Sequence, residues 1–167
     1  TVGFVTLVLM VPLAITSTGI TGVDRVYDGT TAVALNGSAA TLAGALAGDA
    51  VTLSLAGASG TMADKNAGTN KPVAIAGVAL AGADAVNYSL TEASTATVNI
   101  AAASLQAGGI RAVNRVVDGT TVVQIDASGA TVAGVLPGDN VVLDPSGAVG
   151  AVSSPDPGLA KAVLVSG

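Results

Sequence analysis

The side chains with chemical capacity in this 167-residue chain are few, and most are aspartates set in turn-forming stretches. Asp28, Asp49, Asp64 and Asp84 fall in one half, with Asp118 and Asp139 in the other. Loop carboxylates and carbonyls suit a hard cation such as calcium. No Asp-x-Asp-x-Asp run occurs, however, and an aspartate beside glycine in a turn commonly accepts a hydrogen bond from its own backbone. The aspartates therefore read as turn caps, and no metal or other cofactor is assigned. Arg25 and Arg115 stand beside Asp24 and Asn114, where a cross-strand contact or an exposed ion pair is expected rather than a ligand site.

Tyr27 and Tyr88 could stack on a sugar, but with Phe4 they are the only aromatic residues. In so aromatic-poor a chain each is expected to anchor the core with its hydroxyl at the rim. Lys65 and Lys71, near Asn66 and Asn70, have the residue types of an isopeptide crosslink, yet no buried acid and aromatic setting accompanies them. There is no histidine and no cysteine, the serines lack a base partner, and no phosphate loop occurs. Catalysis is not expected. A net charge of −5, with only six cationic side chains, argues against nucleic acid as a partner.

These residues hang on one stretch that occurs twice. Val26-Tyr27-Asp28-Gly29-Thr30-Thr31 returns about ninety residues later as Val116-Val117-Asp118-Gly119-Thr120-Thr121. Asp-Gly between β-branched or aromatic residues is a hairpin signal, because a tight turn needs positive φ and glycine supplies it. The register continues without a gap from Thr1 to Gly167, and more than a third of the aligned positions are identical. Gly48-Asp49 matches Gly138-Asp139, and Gly19, Gly44, Gly57, Gly60, Gly68 and Gly77 each meet a glycine. Three segments follow: 1–14, 15–104 as a first module, and 105–167 as a second, incomplete one.

Val, Thr, Gly and Ala dominate, so short strands and tight turns are expected instead of long helices. The fold class is all-β, in tandem sandwich-like modules of about ninety residues. A β-grasp-like module with one short helix over Ala39–Leu46 is the alternative. Residues 2–15 form the most apolar run, too short for a membrane span and without a basic flank. They align with 92–105, and so read as the closing strand of a preceding repeat. Phe4, Val5, Leu7, Val8, Leu9 and Met10 are its assembly candidates. Ser153-Ser154-Pro155-Asp156-Pro157-Gly158 replaces the Asp64-Lys65-Asn66-Ala67 block, and its prolines predict a different loop path.

Four blocks in order carry a family resemblance: Tyr27-Asp28-Gly29-Thr30-Thr31, Leu46-Ala47-Gly48-Asp49-Ala50-Val51-Thr52-Leu53, Asp64-Lys65-Asn66-Ala67-Gly68, and the stretch ending Asn87-Tyr88-Ser89-Leu90. Together they resemble the YDG repeat of haemagglutinin-like and filamentous adhesins of Gram-negative bacteria. The resemblance implies an exported, cell-surface, non-enzymatic repeat protein with no catalytic residues to carry over. A structural stalk or filament segment is expected, with itself as partner, either as neighbouring repeats of one chain or as a head-to-tail polymer joined by strand addition. The alternative is an adhesive module that binds a host glycan or surface receptor.

Overall fold

A computed structural model describes residues 9–91 and 96–167. Contacts divide the chain into two compact units, Thr1–Ala102 and Ala103–Gly167. The division falls two residues before the boundary that the repeat register places at 104/105. Among the described residues all regular structure is β, apart from one 3-10 turn at Ala85–Asn87.

Among its described residues unit 1 carries twelve strands. They are β1 (Leu13–Thr18), β2 (Thr21–Gly22), β3 (Arg25–Val26), β4 (Ala32–Val33), β5 (Leu35–Asn36) and β6 (Thr41–Ala43), followed by β7 (Thr52–Ser54), β8 (Ser59–Met62), β9 (Gly68–Ala76), β10 (Ala79–Ala81), β11 (Tyr88–Leu90) and β12 (Ala96–Ala101). The main sheet has the order β3-β12-β9-β8-β4, and β12 is antiparallel to β9 but parallel to β3. A second sheet, β11-β1-β6, is held by a parallel pair and an antiparallel one.

The core follows from period two. Alternate residues of β12, Ala96, Val98 and Ile100, point inward and pack with Val33, Met62 and Val73. Tyr27, Leu35 and Ile75 border that cluster. Gly60 is required where β8 crosses β4, since a Cβ there would lie 2.8 Å from the Val33 carbonyl oxygen. Gly150 holds the same place against the Val123 carbonyl oxygen, also at 2.8 Å.

Unit 2 carries seven strands. They are β13 (Gln106–Gly108), β14 (Arg111–Ala112), β15 (Val122–Val123), β16 (Ile125–Asp126), β17 (Thr131–Ala133), β18 (Val149–Val152) and β19 (Val163–Ser166). The pairings β13-β17, β14-β16 and β15-β18-β19 match β1-β6, β2-β5 and β4-β8-β9 about ninety residues earlier.

Three expectations are corrected. Ala39–Leu46 is not helical: Thr41–Ala43 is β6, held by pairing with Thr16–Thr18. The Asp-Gly stretch is not a hairpin turn either. β3 and β4 on its two sides do not pair with each other, because β3 is taken up by β12 and β4 by β8. Lastly, β1 runs through position 14/15, so Leu13 and Ala14 belong to the first unit's sheet, opposite Tyr88 and Ser89. Phe4, Val5, Leu7 and Val8 lie outside the described residues; Leu9 and Met10 are exposed.

Candidate functional site

The Asp-Gly-Thr stretch is a side-chain clamp built twice. In unit 1 Asp28 Oδ1 accepts the Thr30 N–H at 2.9 Å and the Thr30 hydroxyl at 2.8 Å. Gly29 between them sits at φ +80°, a region glycine reaches without the Cβ penalty. Arg25 pairs with Asp28 and donates to the carbonyl oxygens of Thr30 at 2.8 Å and Ala32 at 3.2 Å. The Thr31 carbonyl then accepts the Met62 N–H at 2.9 Å, which fastens the loop to β8.

Unit 2 repeats the arginine, aspartate and threonine bonds of this clamp. Asp118 accepts from the Thr120 N–H at 2.9 Å and its hydroxyl at 2.8 Å, Gly119 has φ +80°, Arg115 pairs with Asp118, and the Thr121 carbonyl accepts the Val152 N–H at 2.9 Å. The Thr120 N–H, aided by Arg115, holds the Asp118 carboxyl at about 2. Asp28 is lowered by the same arrangement, first by the Thr30 N–H.

A second knot joins distant parts of unit 1. The buried Tyr88 ring aims its hydroxyl at Asp49 Oδ2, 2.5 Å away, and accepts the Leu46 N–H at 3.1 Å. Asp84 Oδ2 accepts the Ala50 N–H at 2.8 Å, and the Asn87 N–H closes the 3-10 turn onto the Asp84 carbonyl at 3.0 Å. Gly48 and Gly138, which open the matching turns before Asp49 and Asp139, have φ of +99° and +88°.

The third arrangement is a caged lysine. Lys71 Nζ lies 2.5 Å from Asp64 Oδ1 and 2.8 Å from the Asn66 carbonyl oxygen, while Asp64 also caps the Asn66 N–H. In unit 2 Lys161 Nζ reaches the Ser154 carbonyl at 2.6 Å, the Ser154 hydroxyl at 3.1 Å and the Asp156 carbonyl at 2.7 Å. The proline-rich loop therefore keeps the path of its counterpart, contrary to the sequence expectation. Proline removes an N–H, but this loop is held through oxygens of Ser154, before the first proline, and Asp156, between the two.

The sequence missed a fourth arrangement, a lock on β12. Asp24 accepts the Asn99 N–H at 2.7 Å and the Asn99 side-chain amide at 2.8 Å. Asn99 Oδ1 in turn accepts the Asn70 N–H at 2.9 Å, where β9 carries one residue more than β12 and Asn70 turns to φ +51°. Asp24 next to Arg25 was visible in the sequence; its partner 75 residues away was not.

Asp24, Asp28, Asp64, Asp84 and Asp118 thus each accept a backbone N–H, and Asp49 accepts the Tyr88 hydroxyl. Among the described residues no three His, Cys, Asp or Glu side chains converge in a metal-holding group, and no helix is long and apolar enough to cross a membrane. The geometry is that of an all-β module whose polar side chains hold its own loops. The YDG domain model matches residues 11–97, just over half of the chain, and the chain belongs to that family. No curated protein sequence and no solved structure matches it.

Proposed function

We propose that the chain is a tandem pair of sandwich-like YDG modules serving as a structural segment of a bacterial surface adhesin stalk or extracellular filament, without enzymatic activity. The observation that carries this reading is the recurrence of the Arg-Asp-Thr clamp, Arg25 with Asp28 and Thr30, then Arg115 with Asp118 and Thr120, in the same bonds about ninety residues apart. Polar side chains spent on turns favour a module whose output is shape and length. Stacked modules of one design extend a surface stalk without needing a ligand. The partner is the chain itself, either as neighbouring repeats or as further copies. The test is a glycan and matrix-protein screen with the purified chain, alongside electron microscopy. Rod-like particles with no saturable ligand support the stalk; reproducible saturable binding that is lost on changing Tyr27 or Tyr88 would favour an adhesive module.

A further inference from the structure

Asn36 is the only asparagine of the sequence followed by glycine. The pair forms the turn after β5, where Asn36 is exposed and its Oδ1 accepts the Ser38 N–H at 2.9 Å. The same bond joins Asp28 to Thr30 and Asp118 to Thr120, each across a glycine. It also joins Asp126 to Ser128, the counterparts of Asn36 and Ser38 in unit 2. The acceptor in those three turns is a carboxylate. At Asn36 it is a neutral amide, whose nitrogen can depart when its carbonyl carbon is attacked.

Three features favour attack on Asn36 Cγ by the Gly37 backbone nitrogen. Glycine has no Cβ to crowd the five-membered ring that forms. Nucleophile and electrophile belong to adjacent residues, so the closure is intramolecular. The Ser38 N–H is already bound to Oδ1, the oxygen on which negative charge develops. Packing also fixes the glycine, because a Cβ at Gly37 would lie 2.2 Å from Leu55 Cδ1. Unit 2 solves the same corner differently: Ala127 stands at the glycine position, Pro145 at that of Leu55, and the two line one cleft. Unit 1 thus carries a reactive pair where unit 2 carries Asp126-Ala127.

We propose that Asn36 is a self-modification site, at which the folded chain loses ammonia through a cyclic imide with solvent water as the only co-reactant. The Gly37 N–Asn36 Cγ bond forms as the bond from Cγ to the side-chain nitrogen breaks. The Gly37 amide proton passes to solvent, the departing nitrogen takes one up, and ammonia leaves. Water then opens the imide. Cleavage at Cγ leaves an aspartate, and cleavage at the main-chain carbonyl leaves an isoaspartate with one extra methylene in the backbone. The aspartate fits the turn, since Asp126 makes the same bond to the Ser128 N–H at the matching position. The isoaspartate does not. Its methylene would separate Asn36, paired with Thr21 of β2, from Gly37, whose carbonyl accepts the Ala40 N–H at 2.9 Å. Asp28-Gly29 and Asp118-Gly119 are spared, because the threonine N–H groups and the arginines keep both side chains as carboxylates, which are poor electrophiles.

Trypsin cleavage after Arg25 and Lys65 releases residues 26–65, in which Asn36 is the single asparagine, so a mass change there is assigned without ambiguity. The native chain is incubated in mildly alkaline buffer beside the same chain in urea and an Asn36→Gln chain. The expected result is the mass gain of amide-to-acid exchange in the 26–65 peptide of the native chain, ahead of every other asparagine-containing peptide. The Asn36→Gln chain should show none in that peptide over the same period. A gain in urea alone would mean that the fold blocks ring closure, and would overturn the proposal, as would absence from both samples or an earlier gain elsewhere. An Asn36→Asp chain should melt at the parent temperature. A clear drop would refute the claim that the turn accepts the aspartate.

Discussion

The Tyr88 hydroxyl donates to Asp49 Oδ2 at 2.5 Å and accepts the Leu46 N–H at 3.1 Å, so one side chain closes a turn thirty-nine residues away. The hydrogen bond to Asp49 favours the neutral phenol and raises the Tyr88 pKa above its ordinary 10.0. A raised pKa means that the contribution is fully present below the unfolded value and is lost as pH rises through the folded one. An ultraviolet titration should show a tyrosinate step above 10.0, and Tyr88→Phe should remove that step and lower the thermal midpoint. A high-pH step that survives in Tyr88→Phe would show that the Asp49 contact does not govern it.

Ile15 and Leu105 occupy matching register positions, yet Ile15 is 1% exposed and Leu105 39%. Ile15→Ala should destabilise unit 1 by about 2–5 kcal/mol, the range for emptying a packed aliphatic site. Leu105→Ala should destabilise unit 2 by about 1 kcal/mol or less. Both tyrosines of the chain lie in unit 1, so their fluorescence during urea unfolding reads that unit selectively. Hydrogen exchange of peptides from 103–167 reads the other. Equal losses at the two sites would mean that the burial difference has no energetic weight.

The Asp118 clamp predicts an acid transition local to its turn. Its carboxyl is lowered from 3.8 to about 2, chiefly by the Thr120 N–H and next by Arg115. A depressed carboxyl contributes fully above the unfolded value and loses that contribution as pH falls through the folded one, here between 3.8 and about 2. Carboxyl-detected NMR should place the Asp118 midpoint near the lower limit. Arg115→Gln should raise it while leaving it under 3.8, because the Thr120 N–H remains. A variant midpoint at 3.8 would make the arginine, not the backbone, the main cause.

Local turn chemistry was legible in the sequence. Asp28 with Thr30 two residues on, repeated as Asp118 with Thr120, announced a side-chain cap, and both caps form. Val51–Leu55 alternates apolar and polar residues, the period of a strand with one buried face, and Thr52–Ser54 pairs as β7. Partners distant in sequence were not legible. The hairpin reading of Tyr27–Thr31 used only neighbours, while Arg25 and Val26 pair with Ile100 and Ala101. Helical turns at Ala39–Leu46 followed from alanine-rich propensity, which pairing with β1 overrides. The path of the 153–158 loop does not follow from its prolines, which remove donors, because Lys161 needs only acceptors there.

The neighbour of that lysine carries the last prediction. Ala160 has φ +51°, the value also found at Asn70 in the matching loop of unit 1. Asparagine tolerates this left-handed region, whereas the Cβ of alanine crowds the following carbonyl at a cost of roughly 1–2 kcal/mol. The conformation persists because Lys161 clamps the carbonyls of Ser154 and Asp156 and its stem packs 3.4 Å from where a Gly158 Cβ would stand. Ala160→Asn should therefore stabilise unit 2 by about 0.5–1 kcal/mol, and Asn70→Ala should destabilise unit 1 by about 1 kcal/mol. Ala160→Val, branched at Cβ, should be worse than the parent. Urea midpoints followed by hydrogen exchange within each unit measure all three. If Ala160→Asn lowers the midpoint while Ala160→Val leaves it unchanged, the loop relaxes out of the left-handed region in solution and the lysine does not hold it there.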